Sequence, residues 1–286
     1  MDMVIPMEPV YAETIDDSGD YTFQIKWDGI RLLADKSRSG IVLYTRRGRV
    51  RTQLYPELVA ELQGMQAGDF LLDGELIALN SQGLPDFHRI IKRDRSRNYR
   101  RDIAIGYMVF DCLRMRGKNL CSDALETRQG ELAHLVEGIP PGVTSLCSNY
   151  DDGARLFAHM DALGMEGVVG KRKGSPYLVG RKTDVWQKTK CWREIELRAI
   201  AINFRDSRPS SLVAAKQVDG QWVNVGNVAT GLTDDHWRRV LSDVEAVPAG
   251  NRTVPLDPGY HLRVRFLEWT QDGRLRSPAI LQFSEI

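Results

Sequence analysis

Short apolar runs recur along the whole chain and constrain its fold more than any other feature. Each run is rich in β-branched or aromatic residues and is bounded by Gly, Asp, Asn or Ser, which is typical of β-strands between tight turns. In the first two thirds they predict strands at Tyr21–Lys26, Leu32–Asp35, Ile41–Thr45, Phe70–Leu79, Ala104–Leu113, Gly167–Lys173 and Val185–Lys190. Apolar residues at three- and four-residue spacing predict helices at Tyr55–Leu62, Ala124–Val136 and Asp152–Leu163. Because strands outnumber helices and several adjoin through short turns, we expect mixed or largely antiparallel sheets.

The pattern changes after about Trp192. Strands are predicted at Ile195–Phe204, Ser211–Val218, Trp222–Val228 and Tyr260–Trp269, with one helix at about Thr233–Val244. Short strands with a single helix are typical of a small β-barrel of the OB type. We therefore predict an α+β chain with two domains, residues 1–192 and residues 193–286. The chain has no Walker or G-x-G-x-x-G glycine loop, which argues against a P-loop or Rossmann site.

Composition places limits on the class of protein. A chain of 286 residues with 42% hydrophobic content can bury a sizeable core. Its 39 basic and 38 acidic residues nearly cancel, so any surface for a polyanion must be local. The four cysteines are widely spaced, which argues against zinc and against a disulfide framework. No signal peptide or membrane-spanning stretch is evident, so we expect a cytoplasmic monomer without a membrane partner.

The stretch Lys26-Trp27-Asp28-Gly29 places a lysine between a predicted strand and an Asp-Gly turn. A lysine amine is a nucleophile only when it is deprotonated, and burial or neighbouring cations can favour that form. On its own the stretch is also typical of a hairpin turn with a solvated lysine.

Further charged and aromatic residues lie within or at the ends of predicted strands. Asp73 and Glu75 interrupt an apolar run, and such acids are costly unless a metal or a hydrogen-bond network satisfies them. Lys188 and Lys190 are two residues apart and therefore share one face of a strand. Glu166 and Lys171 flank another apolar strand, and Phe110 ends one. Taken singly, each also fits an ordinary edge charge or core residue.

One segment, residues 89–101, has a strong local charge bias, with seven cations and one acid. It could neutralise several phosphates of a nucleic acid, or it could be a solvated loop or helix face. The candidates for DNA contact are Arg89, Lys92, Arg93, Arg95 and Arg97.

In their order along the chain, these motifs resemble those of the covalent nucleotidyltransferases, the superfamily of ATP-dependent DNA ligases, RNA ligases and mRNA capping enzymes. Arg46-Arg47-Gly48 resembles the arginine motif of DNA ligases, and the stretch from Phe266 to Pro278 resembles the OB-domain end of bacterial end-joining ligases of the LigD type. The resemblance implies a nucleotidyltransferase (adenylation) domain followed by an OB-fold domain. It implies that the chain seals 5′-phosphate and 3′-hydroxyl ends of DNA through a lysyl-AMP intermediate, in break repair.

The resemblance also implies roles for individual residues. Lys26 would carry AMP as the nucleophile, with Asp28 in the same motif, and Lys188 and Lys190 would act on the α-phosphate. Phe110 would stack on adenine and Gln24 would bind its edge, although family members often carry Glu or Thr at the position of Gln24. The implied ATP-binding residues are Gln24, Ile25, Arg31, Arg46, Glu75, Phe110, Lys171, Lys188 and Lys190. Glu75 and Glu166 would bind Mg²⁺ or Mn²⁺.

One departure from the family concerns a basic motif near R-x-D-K, for which Leu281–Ile286 offers no arginine or lysine. We therefore expect slow self-adenylation but intact sealing of adenylated nicks. Two alternatives stay open at this point, an RNA ligase or capping guanylyltransferase, and a DNA-end-binding module that has lost catalysis. The expected partner is nicked or broken duplex DNA. The family alone suggests the Ku end-binding protein and a repair polymerase or nuclease.

Overall fold

A computed structural model describes residues 3–96, 98–137 and 142–286. The chain divides into two compact units, Met1–Cys191 and Trp192–Ile286. Within the described residues, none of the helices has both the length and the apolar character needed to cross a membrane.

The first unit contains ten strands, four α-helices and a short 3₁₀ helix at Thr52–Leu54 among its described residues. The strands are β1 (Glu8–Tyr11), β2 (Tyr21–Ile25), β3 (Ile30–Ser37), β4 (Gly40–Thr45), β5 (Phe70–Ala78), β6 (Ile105–Met115), β7 (Lys118–Asn119), β8 (Thr144–Leu146), β9 (Gly167–Arg172) and β10 (Lys182–Lys190). The helices are α1 (Pro56–Gly64), α2 (Phe87–Asp94), α3 (Leu125–Glu137) and α4 (Gly153–Ala162). Every strand and helix predicted in this region is present, with ends shifted by a few residues, whereas β1, β7, β8 and α2 were not predicted.

Two sheets form the frame of this unit. One has the order β1-β10-β9-β2, and the other has the order β4-β3-β5-β6-β7, with β8 pairing to β6. The β1–β10 and β6–β8 pairs are parallel and the remaining pairs are antiparallel, which confirms the expected mixed sheets.

The larger sheet is buried on both faces. Alternate residues of its strands point to opposite sides, so each face packs against a different apolar core. Leu72 belongs to the core that α1, α2 and α3 cover. Its neighbour Leu71 belongs to a second core with Tyr177 and Trp186, and Trp186 lies on β10 of the smaller sheet. This second core therefore holds the two sheets together, and the chemistry described below lies beside it.

The second unit is an antiparallel sheet of five strands with one helix. Its elements are β11 (Arg193–Arg205), β12 (Arg208–Val218), β13 (Gln221–Val228), α5 (Asp234–Ser242), β14 (Arg252–Phe266) and β15 (Ala279–Glu285). The helix contributes Val240 to an apolar core of strand residues, as an OB-type barrel requires. β14 starts eight residues before the predicted strand. The prediction missed this first part because Pro255 and Pro258 interrupt the alternating pattern there. β15 was not predicted as a strand.

Candidate active site

A cavity of about 540 Å³ opens in the first unit, and both of its sheets contribute to the wall. Eight of the nine predicted ATP-binding residues line it: Gln24, Ile25, Arg31, Arg46, Glu75, Phe110, Lys171 and Lys188. Lys26 lines it as well, together with Trp27, Trp186 and a set of arginines at Arg47, Arg49 and Arg51.

Lys26 follows the last residue of β2, and its backbone N–H donates to the carbonyl of Gly167 at 2.9 Å. Two glycines allow the chain to pass this closely. A Cβ at Gly29 would lie 2.2 Å from the carbonyl oxygen of Leu76, and one at Gly167 would lie 2.1 Å from that of Thr189. Gly167 also has a φ of +140°, which L side chains rarely adopt. Gly29, three residues after Lys26, and Gly167, directly after Glu166, are thus needed for the close packing of these strands.

Glu166 lies between two lysines. One carboxylate oxygen pairs with Nζ of Lys26, and the other is 3.1 Å from Nζ of Lys190. Burial by itself would raise the pKa of Glu166, but the charges and hydrogen bonds of the two lysines lower it below its ordinary value. Glu166 is therefore ionised, and it holds Lys26 and Lys190 together at the ends of β2 and β10.

The other predicted metal ligand, Glu75, has a different environment. It lines the cavity from β5, and no hydrogen bond or ion pair to its carboxylate is found among the described residues. Burial raises the pKa of Glu75 to about 8, despite the opposing charges of Lys26 and Arg31. A cation bound beside the Glu75 carboxylate would stabilise its ionised form.

Lys188 also lines the cavity, on the same face of β10 as Lys190. Burial lowers the pKa of Lys188, and the charges of Lys26 and Lys190 lower it further. Three lysines therefore repel one another in a small volume, and a bound polyphosphate would relieve that repulsion.

Asp73 is fully buried and paired, as its place in an apolar strand required. It accepts hydrogen bonds from Nε of Arg31 at 2.9 Å and from the hydroxyl of Tyr177 at 2.6 Å. The Tyr177 hydroxyl also accepts from the backbone N–H of Met7 at 3.0 Å. Arg31, one of the predicted ATP-binding residues, thus lines the cavity with its guanidinium fixed by a buried acid. Tyr177 was not predicted, and no sequence pattern identifies it.

Two aromatic rings form an apolar part of the wall. The rings of Phe110 and Trp186 meet edge to face, with centroids 5.9 Å apart. Nζ of Lys171 lies 4.5 Å from the first ring and 4.2 Å from the second, and it donates to the carbonyl of Phe110 at 3.0 Å. Burial lowers the pKa of Lys171 to about 8. Trp186 was missed as a site residue, although it lies two residues before Lys188 on the same strand face.

The predicted DNA-binding segment is only partly at the surface. Lys92 and Arg95 are exposed and Arg89 is half-buried, whereas Arg97 lies outside the described residues. The prediction for Arg93 is wrong, because this side chain is 1% exposed and bonded inside the unit. It pairs with Glu57 and donates to the carbonyls of Leu54 and Ile103. Arg93 lies on the inner face of α2, and the dense charge of residues 89–101 gave no sign of this helix.

Comparison with known proteins yields matches over both units. Residues 6–190 match the family described as ATP dependent DNA ligase domain, and residues 205–285 match ATP dependent DNA ligase C terminal region. The Multifunctional non-homologous end joining DNA repair protein LigD of Mycobacterium tuberculosis is 31% identical over 281 residues, which are 91% of this chain and 35% of that protein. LigD of Pseudomonas aeruginosa is 34% identical over 250 residues, 83% of this chain and 28% of that protein.

A solved structure matches most of the chain. The crystal structure of the ligase domain from M. tuberculosis LigD has a TM-score of 0.61 at 27% identity, and the match covers 98% of this chain and 94% of that one. The chain spans about a third of the length of the full M. tuberculosis protein.

Proposed function

Because this chain belongs to the ATP-dependent DNA ligase family, we propose that it seals 5′-phosphate and 3′-hydroxyl ends in DNA through an AMP adduct on Lys26. The observation that carries the proposal is the ion pair of Lys26 with Glu166 beside a cavity that Lys188 and Phe110 also line. The cavity thus combines a nucleophile, cations for phosphate and an aromatic ring for a base.

The proposed reaction has three displacements at phosphorus. Nζ of Lys26, as the neutral amine, bonds to the α-phosphorus of ATP while the bond to the β-phosphate oxygen breaks, and pyrophosphate leaves with that electron pair. An oxygen of the DNA 5′-phosphate then displaces Lys26 from the AMP phosphorus. Finally the 3′-hydroxyl loses its proton and attacks the 5′-phosphate, and AMP leaves. Such transfers depend mainly on positioning and charge neutralisation.

The residues of the wall fit these demands. Lys188 and Lys190 can neutralise charge at the α-phosphate, which is worth about 10²–10³ in rate for a well-placed donor. The exposed Arg46 pairs with Glu8 at 2.8 Å at the cavity mouth and can exchange that partner for a phosphate or ribose. The ring of Phe110 can stack on adenine. Asp28 lies in the turn that follows the nucleophile.

A divalent cation fits Glu75 and Glu166. Mg²⁺ is usually bound by one or two carboxylates plus substrate phosphates, rather than by a cage made of protein alone. No cluster of three or more potential ligands is found among the described residues. The carboxylate of Glu75, which has no hydrogen bond or ion pair within the described part of the chain, is the group that a cation would satisfy. The ion, Mg²⁺ or Mn²⁺, would supply positive charge that favours the neutral amine of Lys26 and withdraws charge from the phosphates.

The cellular role that we propose is end joining in DNA repair, with nicked or broken duplex DNA as the substrate. It is supported by the similarity to LigD proteins of two bacteria. A Ku end-binding protein and a repair polymerase or nuclease are the partners that this role suggests, in the bacterial cytosol.

The test separates loading of Lys26 from sealing of DNA. The parent, Lys26→Ala and the control Lys118→Ala, which changes an exposed lysine, are incubated with α-³²P-ATP and Mg²⁺. We expect covalent label on the parent and the control but not on Lys26→Ala. A second assay supplies a DNA nick that already carries AMP, which the parent should seal without ATP.

Failure of the parent in both assays would overturn the ligase assignment. Label from α-³²P-GTP in preference to ATP would support the capping alternative, and preference for an RNA nick would support the RNA ligase. Slow labelling combined with fast sealing is the result expected from the lack of a basic motif in Leu281–Ile286.

A further inference from the structure

The buried side chain of Gln24 in the cavity wall is connected to the protein surface by a chain of amides. Its Nε2 atom donates to Oδ1 of Asn149 at 2.9 Å and points to the carbonyl oxygen of Cys147 at 3.4 Å. Asn149 and Gln129 exchange two further hydrogen bonds, with Nδ2 of Asn149 donating to Oε1 of Gln129 at 2.8 Å and Nε2 of Gln129 donating back at 3.3 Å. We refer to Gln24, Asn149 and Gln129 as the amide relay.

The relay fixes which end of the Gln24 amide faces a ligand. The two ends of an amide have the same shape, so its orientation must be decided by its partners. The carbonyl of Cys147 can only accept a hydrogen bond, so the NH₂ end of Gln24 must face it. Oε1 is then directed away from the relay, and no donor to it is found among the described residues. Because Gln24 lines the cavity, Oε1 is the atom that it offers there.

The loop that carries Asn149 is held on both sides. Tyr150 exchanges backbone hydrogen bonds with Phe23 on β2, at 2.8 and 2.9 Å. Cys147 donates its N–H to the carbonyl of Val109 on β6 at 2.8 Å. The loop therefore joins the strand that carries Gln24 to the strand that carries Phe110, and the backbone of Asn149 cannot move away from Gln24 without breaking these pairs.

Helix α3 supports the relay from behind. Gln129 follows Arg128, a fully buried residue whose Nε donates to Asp111 at 2.8 Å. Asp111 is itself the neighbour of Phe110 on β6. Two consecutive residues of α3 thus support the cavity wall: Gln129 supports Gln24 through Asn149, and Arg128 supports Phe110 through Asp111.

We propose that Asn149, supported by Gln129, is a positioning residue that sets the base selectivity of the nucleotide site. This inference rests on the proposed function. An Oε1 acceptor facing the cavity matches the exocyclic amine of adenine, which is a donor, and it opposes the carbonyl at the same position of guanine. When the relay is broken, the Gln24 amide loses its better acceptor and can rotate, so either base edge finds a partner.

The experiment compares the kcat/KM of Lys26 labelling for ATP, GTP and purine riboside triphosphate, which lacks the amine. Asn149→Leu should lower the preference for ATP over each analogue about tenfold, mainly through the KM for ATP, since one net hydrogen bond is worth about a factor of ten. Asn149→Asp should keep the preference, because a carboxylate oxygen still accepts from Nε2 of Gln24. Gln129→Leu should give an intermediate loss, and Ser148→Leu, which places the same apolar side chain one residue away, should give none.

An unchanged preference in Asn149→Leu, or an equal loss in Asn149→Asp and Asn149→Leu, would overturn the relay. Sealing of a pre-adenylated nick reports that each variant is folded, and Asn149→Ala replaces the leucine variant with the same expected loss if that variant does not fold. A parent that neither takes label nor seals would instead count against the proposed function, so the two failures are distinguishable.

Discussion

Lys26 and Glu166 form an ion pair although 140 positions separate them in the sequence. β2 and β9 run antiparallel as neighbours, so the end of one strand meets the beginning of the other. The same carboxylate contacts Lys190, which ties a third strand to the pair. The amine of Lys26 is therefore engaged by a carboxylate, and the attack proposed for it requires that this ion pair be broken.

We expect Glu166→Gln to lower the maximum rate of Lys26 labelling about 10²-fold, because the site loses a ligand and an ordering contact. Single-turnover labelling rates measure the loss. The exposed Glu245→Gln is the control, and a labelling rate in Glu166→Gln equal to that of the parent would refute this role of Glu166.

Lys188→Ala should reduce labelling by about 10²–10³, because a cation that stabilises the transferring phosphoryl group is lost. Lys188→Arg should recover part of the rate, since it restores the charge with a different shape. Lys182→Ala removes an exposed lysine of the same strand and should have little effect. Single-turnover labelling distinguishes them, and equal rates for Lys188→Ala and Lys182→Ala would exclude the assigned role.

Asp73→Asn should destabilise the protein by about 3–5 kcal/mol, because it leaves the guanidinium of Arg31 without its buried counter-ion. Tyr177→Phe should cost about 1–3 kcal/mol, since the buried N–H of Met7 then loses its acceptor. Urea denaturation measures both losses. Both variants should also raise the KM for ATP through displacement of Arg31, and a KM equal to that of the parent would show that Arg31 takes no part in binding.

The contribution of Lys171 to stability should rise with pH. Its pKa is lowered by burial to about 8 in the folded protein, against 10.5 for the ordinary group. Between these values Lys171 binds more protons in the unfolded chain than in the folded one, so its contribution to the free energy of unfolding increases with pH by up to about 1.4 kcal/mol per unit. Well below pH 8 Lys171 is protonated in both states and the contribution is constant. The free energy of unfolding of the parent minus that of Lys171→Met should therefore increase from pH 7.5 to pH 10 in denaturation experiments, and a constant difference would refute this assignment.

The basic residues of α2 and its C-terminal end should have two different roles. Arg93 should stabilise the fold, and Lys92 and Arg95 should contact DNA at the surface. Arg93→Ala should destabilise the protein by about 3 kcal/mol, because it leaves buried partners unsatisfied. Lys92→Ala with Arg95→Ala should leave stability nearly unchanged and reduce the slope of log K for DNA against log salt by about 2. Arg38→Ala, an exposed arginine elsewhere, is the control for non-specific charge. An unchanged slope in the double variant would mean that this surface does not contact DNA.

Much of the fold follows from periodicity and turn residues. β6 alternates between buried and half-buried residues, whereas β2 and β5 are buried almost throughout, and each was predicted as a short apolar or aromatic run between turn residues. β1 was missed because its four residues are all half-buried and show no alternation, and it is held by parallel pairing to a strand more than 170 positions away. β15 was missed because its burial alternates only weakly at the edge of a sheet.

The candidate site likewise contains some residues that the sequence predicts and others that it does not. Lys26, Glu75, Glu166 and Lys188 stood out because their charges interrupt or end apolar strands, and the resemblance of the ordered motifs to a known family then implied their roles. Tyr177, Asn149 and Gln129 could not be found, since loop or helix residues of ordinary type acquire their roles only through contacts across the fold. Arg93 illustrates the opposite error, because a charge run does not reveal which of its members a helix turns inward.

The smaller sheet of the first unit also determines when the protein becomes able to react. β2 pairs with β9 and β1 pairs with β10, so the earliest strands of the unit are matched with its latest. At a translation rate of about 5–20 residues per second, Lys26 is made about ten seconds before Glu166. Until then the lysine ends a strand that has no sheet to join. In the function that we propose, Lys26 therefore becomes able to accept AMP only near the end of the synthesis of this unit, when its smaller sheet closes.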